Sequence, residues 1–430
     1  MYNTQLDAER RDNVIKSALG AMGALLLGIA PLSATEPDAA IPTVEVLPLS
    51  FAQSGVSGPG GERIKAELVD AQFVALGEDH GFADSPMLAQ ALAADMQRLG
   101  MPVYHAAEIG PLSADWLHRH FSGNSTLAGL KIVAAGLRGK GLAMPFTSNV
   151  EDATLAAGFF DAEGTSRLWG IDQEFMGAPM ILLEGLATRT QNKAARSKLM
   201  GITEADRIAL SKLEFDNAWL AKAKTEDFAD LSKTFADDPE ALKLIEAFAV
   251  SAKIYQLNNS GSYAASNESR SALMQGYFLE NYRKAGRAPK VLLKMGAYHL
   301  GRGTTPVGIY DLGSLLPGLA AANGKKSLHI VFIPIAGSVR SIAPSETRVT
   351  AVKPYEDEGI GALLTAAGIS VDGLPPTGHV VIPMTAIRLR LSGKQKRDLP
   401  EMARFILNGF DYLVTTRDAK PATHFEAWRP

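Results

Sequence analysis

Two histidines, far apart in the chain, stand at the end of the same local pattern. Gly77-Glu-Asp-His80 follows the apolar run Phe73 to Leu76, and Gly296-Ala-Tyr-His299 follows the run Val291 to Leu293. An imidazole titrates near neutrality, so histidines set beside carboxylates are equipped to take a proton from water and return it. Glu78 lies inside the first motif, and Glu108 closes a third apolar run, Val103 to Ala107. Arg270 shares one helical face with Met274, Tyr277 and Asn281, at spacings of i, i+4, i+7 and i+11. An arginine on a stripe turned toward the protein needs a carboxylate or an anionic ligand, because an unpaired buried charge is costly. Glu78 and Glu108 are its candidate partners.

Two chemistries are open to Glu78, His80, Glu108, Arg270 and His299. In the first, His80 or His299 is a general base on water, Glu78 or Glu108 orients it or shuttles the proton, and Arg270 stabilises negative charge on the substrate. In the second, His80, His299 and Glu108 hold a divalent metal ion whose bound water is the nucleophile. The metal-free version is the primary reading, with no cofactor; a divalent metal ion or haem is the alternative.

The elements that must position these residues are legible as short apolar runs: Phe73 to Leu76, Val103 to Ala107, Leu168 to Ile171, Val291 to Leu293, Ile330 to Ile335 and Tyr412 to Thr415. Stretches of helical periodicity such as Ser85 to Leu99 and Arg270 to Tyr282 lie between most of them, the pattern of βα units around a mainly parallel sheet. The expected fold class is therefore α/β, a mainly parallel central sheet flanked by helices. Ligands of open α/β sheets bind beyond the carboxyl ends of the strands, where Glu78, His80, Glu108 and His299 fall. From about 181 to 259 the composition turns to Ala, Lys, Leu, Glu and Asp without strand-like runs, which predicts a helical insertion covering the active edge. The segment 355 to 378, rich in Gly and Pro, is expected to be a surface excursion, and Gly55 to Gly61 a plain loop.

The motifs resemble those of the superfamily that includes erythromycin esterases, the ChaN haem-uptake proteins and the Tiki/TraB proteins. Members share two Gly-x-x-His motifs, an isolated glutamate after the first and an arginine in the helix before the second. Gly77-Glu-Asp-His80, Glu108, Arg270 and Gly296-Ala-Tyr-His299 match these in order, and the resemblance spans about residues 70 to 420. Leu168-Trp-Gly-Ile-Asp172 resembles the esterases' Gly-x-Asp strand, and the large helical insertion is similar to the esterase branch. The first motif is one residue shorter than the esterases' Gly-Glu-x-x-His-Gly and matches the Glu-x-His of the wider superfamily. The resemblance implies a hydrolase acting on an ester or lactone of a bulky small molecule, with a Tiki-like metal-dependent hydrolase or a haem- or metal-binding uptake protein as alternatives.

The remaining histidines read as structural. His118 and His120 are two apart and do not share a helical face. His105 points to the opposite strand face from Glu108, and His329, His379 and His424 have no evident partners. No Gly-x-Ser-x-Gly elbow supports a serine hydrolase. The 430 residues contain no cysteine, which excludes thiolate nucleophiles, Cys-ligated metals and disulfides together. A net charge of -3, from 43 basic and 46 acidic residues, gives no footprint for a nucleic-acid backbone, so a small-molecule substrate is the expected partner.

Arg10, Arg11 and Lys16 precede an apolar stretch from Ala18 to Ala30 and then small residues up to Ala34. This is the pattern of a signal peptide over residues 1 to 34, removed to leave a domain from 35 to 430 in the periplasm or outside the cell. The residues after Arg10-Arg11 fit a twin-arginine signal poorly, which favours ordinary secretion. The stretch is shorter than the roughly 20 residues of a membrane span, and no stable membrane insertion is expected.

Overall fold

The computed structural model describes residues 43–161, 165–342 and 350–430, so the expected signal peptide lies outside the described residues. The strands are β1 (Leu47–Ala52), β2 (Gly55–Ser57), β3 (Ala71–Glu78), β4 (Val103–Ala107), β5 (Leu168–Gly170), β6 (Lys290–Gly296), β7 (Lys326–Phe332), β8 (Ser338–Ile342), β9 (Thr350–Pro354), β10 (His379–Pro383) and β11 (Tyr412–Thr415). Nine of them form one sheet in the order β2-β1-β10-β11-β7-β3-β6-β4-β5, and β8 and β9 form a separate hairpin. From β11 to β5 every neighbouring pair is parallel, whereas β10, β1 and β2 add an antiparallel edge. The class is α/β, as the alternation of runs implies.

Strands β3 and β6 are buried almost throughout, which is why they read as continuous apolar runs rather than alternating ones. Side-chain alternation divides the core into two clusters. Val74, Leu76, Leu292 and Ile330 pack on one face, and Phe73, Ala75, Leu293, Met295 and Val331 on the other. The helix Val150–Ala157 belongs to the first face through Ala153, Leu155 and Ala156, and the helix Tyr263–Lys284 packs on the second through Met274 and Phe278.

The predicted helical insertion is present as Pro179–Arg189, Lys193–Ser211, Trp219–Lys222, Thr225–Thr234 and Pro239–Asn259, with a short turn of helix at Phe215–Asn217. Prolines occupy the first turn of the first and last of these, where a missing N–H costs nothing, and Asp238 caps the last by accepting from the Ala241 N–H.

Two expectations are corrected. Gly55 to Gly61 is not a loop: it contains β2 and the start of the helix Gly58–Leu68. Proline in the first turn starts the helix, and a Cβ on Gly60 would come within 2.8 Å of Val381, so the glycines serve close packing. The segment 355 to 378 is not wholly a surface excursion, because Ile360–Ala366 is a helix that buries Ile360, Leu363 and Leu364 in the second cluster.

Candidate functional site

All five residues singled out by the sequence converge over the carboxyl ends of β3, β4 and β6. These strands are neighbours, with Glu78 level with Gly296 and Ala107 level with Lys294. Glu108 is the hub. Its side chain is only 4% exposed; Oε2 accepts from the Gly296 N–H at 2.8 Å and Oε1 from Arg270 at 2.8 Å. His80 Nε2 lies 3.6 Å from Oε2, and His299 Nε2 lies 3.4 Å from Oε1. One carboxylate therefore faces both imidazoles.

Each histidine is fixed from its other nitrogen by a further carboxylate. His80 Nδ1 is 2.9 Å from Glu78 Oε1, and His299 Nδ1 is 2.8 Å from Asp311 Oδ2. Asp311 precedes the helix Leu312–Ala322 and caps it through the Leu312 N–H, so the end of that helix places the carboxylate. Arg270 bonds Glu108 and grips both oxygens of Asp172, which follows β5. The Gly-x-Asp likeness was the one sequence signal for Asp172, and Asp311 had none.

The glycines of the two motifs have a physical reason. A Cβ on Gly296 would lie 3.0 Å from His80 Nε2 and 3.5 Å from Glu108 Oε2, and one on Gly77 would meet Phe410 at 2.9 Å. Any larger residue at Gly296 would push into the gap between the imidazole and the carboxylate.

The electrostatics follow from burial opposed by charge. Burial alone would raise Glu108, but His299, His80 and Arg270 hold it well below the usual carboxylate range. Burial would likewise raise Glu78, yet Lys294 and His80 hold it down to about 2. Burial and Arg270 would lower His299, and Glu108 with Asp311 overcome both and raise it to about 9. His80 is also raised, with Glu108 and Glu78 outweighing burial. At neutral pH His299 is an imidazolium, and His80 titrates above its ordinary value.

His80 is the more accessible of the two, 37% exposed against 13% for His299. It opens on a cavity of about 430 Å³ lined also by Glu78, Asp79, Leu142, Phe146 and Tyr355. A second cavity of about 250 Å³ reaches Glu108 and Arg270, with Tyr255 and Phe175 among its walls. Phe146 lines both and lies tilted against the His80 ring, ring centroids 4.4 Å apart.

The charge of Arg270 beside Glu108 weighs against a divalent metal ion between the two histidines. Both Glu108 oxygens already accept hydrogen bonds, and the Arg270 guanidinium would oppose a cation placed between the histidines. Among the described residues no group of three His, Asp or Glu side chains is arranged to hold a metal ion. The other histidines pack elsewhere. Buried His105 is directed at the Leu292 carbonyl and packs against Phe159, and buried His329 is directed at the Leu300 carbonyl. His120 lies against Trp116 and His118 against Phe160. His379 is 3.3 Å from Asp84, and His424 borders the larger cavity away from Glu108.

Fold and site together define an α/β protein that carries a carboxylate shared by two histidines at the ends of its central parallel strands. No family model and no curated protein sequence matches the chain. Among solved structures, an erythromycin esterase mutant in its open conformation superposes with a TM-score of 0.52 at 14% identity, covering 84% of this chain and 94% of that one. A succinoglycan biosynthesis protein gives 0.53 at 13%, covering 88% and 95%. The fold is thus that of these proteins. A haem-bound ChaN of Campylobacter jejuni aligns at a TM-score of 0.26 and 12% identity, a likeness too small to bear on this chain. Among the described residues no helix is long and apolar enough to cross a membrane.

Proposed function

We propose that this protein is an exported, metal-independent hydrolase that cleaves an ester or lactone bond in a bulky small molecule. The observation that supports it most is the placement of His80 Nε2 and His299 Nε2 against the two oxygens of one buried carboxylate, with His80 facing a cavity. With its Nδ1 proton directed to Glu78, neutral His80 presents the Nε2 lone pair and accepts a proton from the attacking water. The imidazolium so formed on His80 returns that proton to the departing alkoxide, and Glu108, held from its other side by protonated His299, keeps the ring oriented. Water thus adds across the bond to give an acid and an alcohol. Arg270, paired with Asp172 and Glu108, holds the hub carboxylate in place and borders the second cavity, where it faces negative charge on the substrate. Export rests on the signal-peptide pattern of residues 1 to 34.

The test is turnover of a panel of esters and lactones by purified protein, before and after chelation. The reading predicts activity that chelation leaves intact, with a rate that rises with pH as His80 loses its proton and falls as His299 loses its own near 9. Activity that collapses on chelation and returns with a divalent metal contradicts the metal-free mechanism.

A further inference from the structure

Lys294 interrupts the apolar run Val291 to Met295 of β6, and its side chain lies on the sheet face of Leu292, beneath the helix Val150–Ala157. Lysine is seldom buried, since its ammonium must find compensation. Here the side chain is 6% exposed, and Nζ donates to Glu78 Oε1 at 2.7 Å and to Asp152 Oδ1 at 2.8 Å. The Glu78 oxygen it holds is the one that faces His80 Nδ1 at 2.9 Å. A single carboxylate oxygen therefore links a buried ammonium to the more accessible imidazole.

We propose that Lys294 is a positioning residue for the hydrolytic site: its contact with Glu78 and Asp152 keeps Glu78 a pure acceptor and so fixes His80 with its proton on Nδ1 and its lone pair on Nε2. The proposal rests on the reading of His80 as the base. Stability alone does not explain the arrangement, because well-packed apolar residues in place of a buried ion cluster are often neutral or stabilising. Without the ammonium, Glu78 and Asp152 would be two buried carboxylates whose oxygens both lie within 2.8 Å of the vacated Nζ position. Like charges so placed cannot both stay ionised, and one takes up a proton. A protonated Glu78 can donate to Nδ1, which reverses that hydrogen bond and moves the ring proton to Nε2, where it blocks base catalysis. Burial already raises Asp152, with Glu78 adding to it and Lys294 opposing, and Asn149 donates to its other oxygen; a proton taken up there instead of on Glu78 would leave the His80 bond as it is, an outcome that the tautomer reads directly. His105, the other imidazole near Lys294, is pushed down to about 4 by burial and adds no charge.

The test is the tautomer of His80, read from imidazole 15N shifts at a pH where the ring is neutral, in the wild type and in Lys294→Met and Lys294→Arg. The expected result is an Nδ1–H tautomer in the wild type, loss of it in Lys294→Met, and its retention in Lys294→Arg, which keeps the cation. A merely structural lysine would lower stability and leave the tautomer alone, so a folded Lys294→Met with unchanged His80 shifts overturns the proposal. If Lys294→Met does not fold, the wild type still decides: an Nε2–H tautomer there overturns it. Where the panel supplies a substrate, Lys294→Met should lower kcat on the order of 10²-fold with KM unchanged, and Lys294→Arg should recover most of it. A fixed Nδ1–H tautomer in a protein that turns over nothing would contradict the hydrolase reading and leave the positioning role standing.

Discussion

Replacing His299 by Asn tests whether the hub carboxylate stores charge as its geometry implies. His299 is held at about 9 in the folded protein, by Glu108 and Asp311 against burial, and returns to about 6.5 when the chain unfolds. The folded state binds the proton more tightly, so the protonated ring stabilises the fold. That contribution is full below pH 6.5 and is lost as pH rises through about 9. The gap, at 1.36 kcal/mol per pKa unit, amounts to about 3 kcal/mol, and at 13% exposure the ring is little screened by solvent. Urea unfolding of wild type and His299→Asn across this window gives the difference, since titrating groups away from Glu108 are common to both. The wild type should lose about 3 kcal/mol more than the variant as pH passes from 6.5 to 9. Parallel curves would refute the reasoning, because they would mean that Glu108 and Asp311 do not hold a proton on His299.

Gly296→Ala should cut turnover by more than tenfold while costing about 1–3 kcal/mol of stability, because its Cβ would press on His80 Nε2; paired kinetics and urea unfolding check this, and unchanged turnover counts against it. Arg270→Ala leaves Glu108 and Asp172 buried without their cation and should destabilise by about 3–5 kcal/mol, read by denaturant unfolding, with a loss under about 1 kcal/mol as the contrary result. Phe146→Ala joins the two cavities beside His80, so the ratio of kcat/KM for bulky over small esters should rise, and an unchanged ratio would show that Phe146 does not divide the binding space.

The chemistry was more legible in the sequence than the geometry that supports it. Glu78, His80, Glu108 and His299 could be found because each follows an apolar run, and buried parallel strands must end where their side chains meet a ligand. Arg270 was legible from its place on a helical stripe, although its grip on Asp172 depends on a contact across 98 positions that periodicity does not encode. Lys294 left a signal that went unused: a lysine in the middle of the apolar run Val291 to Met295 has to be paired. Asp311 left none, because it resembles any helix-capping aspartate until the fold brings it to His299. The glycine-rich segment 55 to 61 misled because glycine marks both loops and close packing, and only the neighbours Val381 and Leu47 distinguish the two.

The central claim is that His80 moves a proton in a metal-free site, and His80→Ala in chelated protein tests it most directly, with ester turnover and substrate affinity measured side by side. The account predicts a loss of kcat on the order of 10²–10⁴-fold with affinity largely kept. A variant that loses the ligand itself, or that turns over as fast as the wild type, would contradict it.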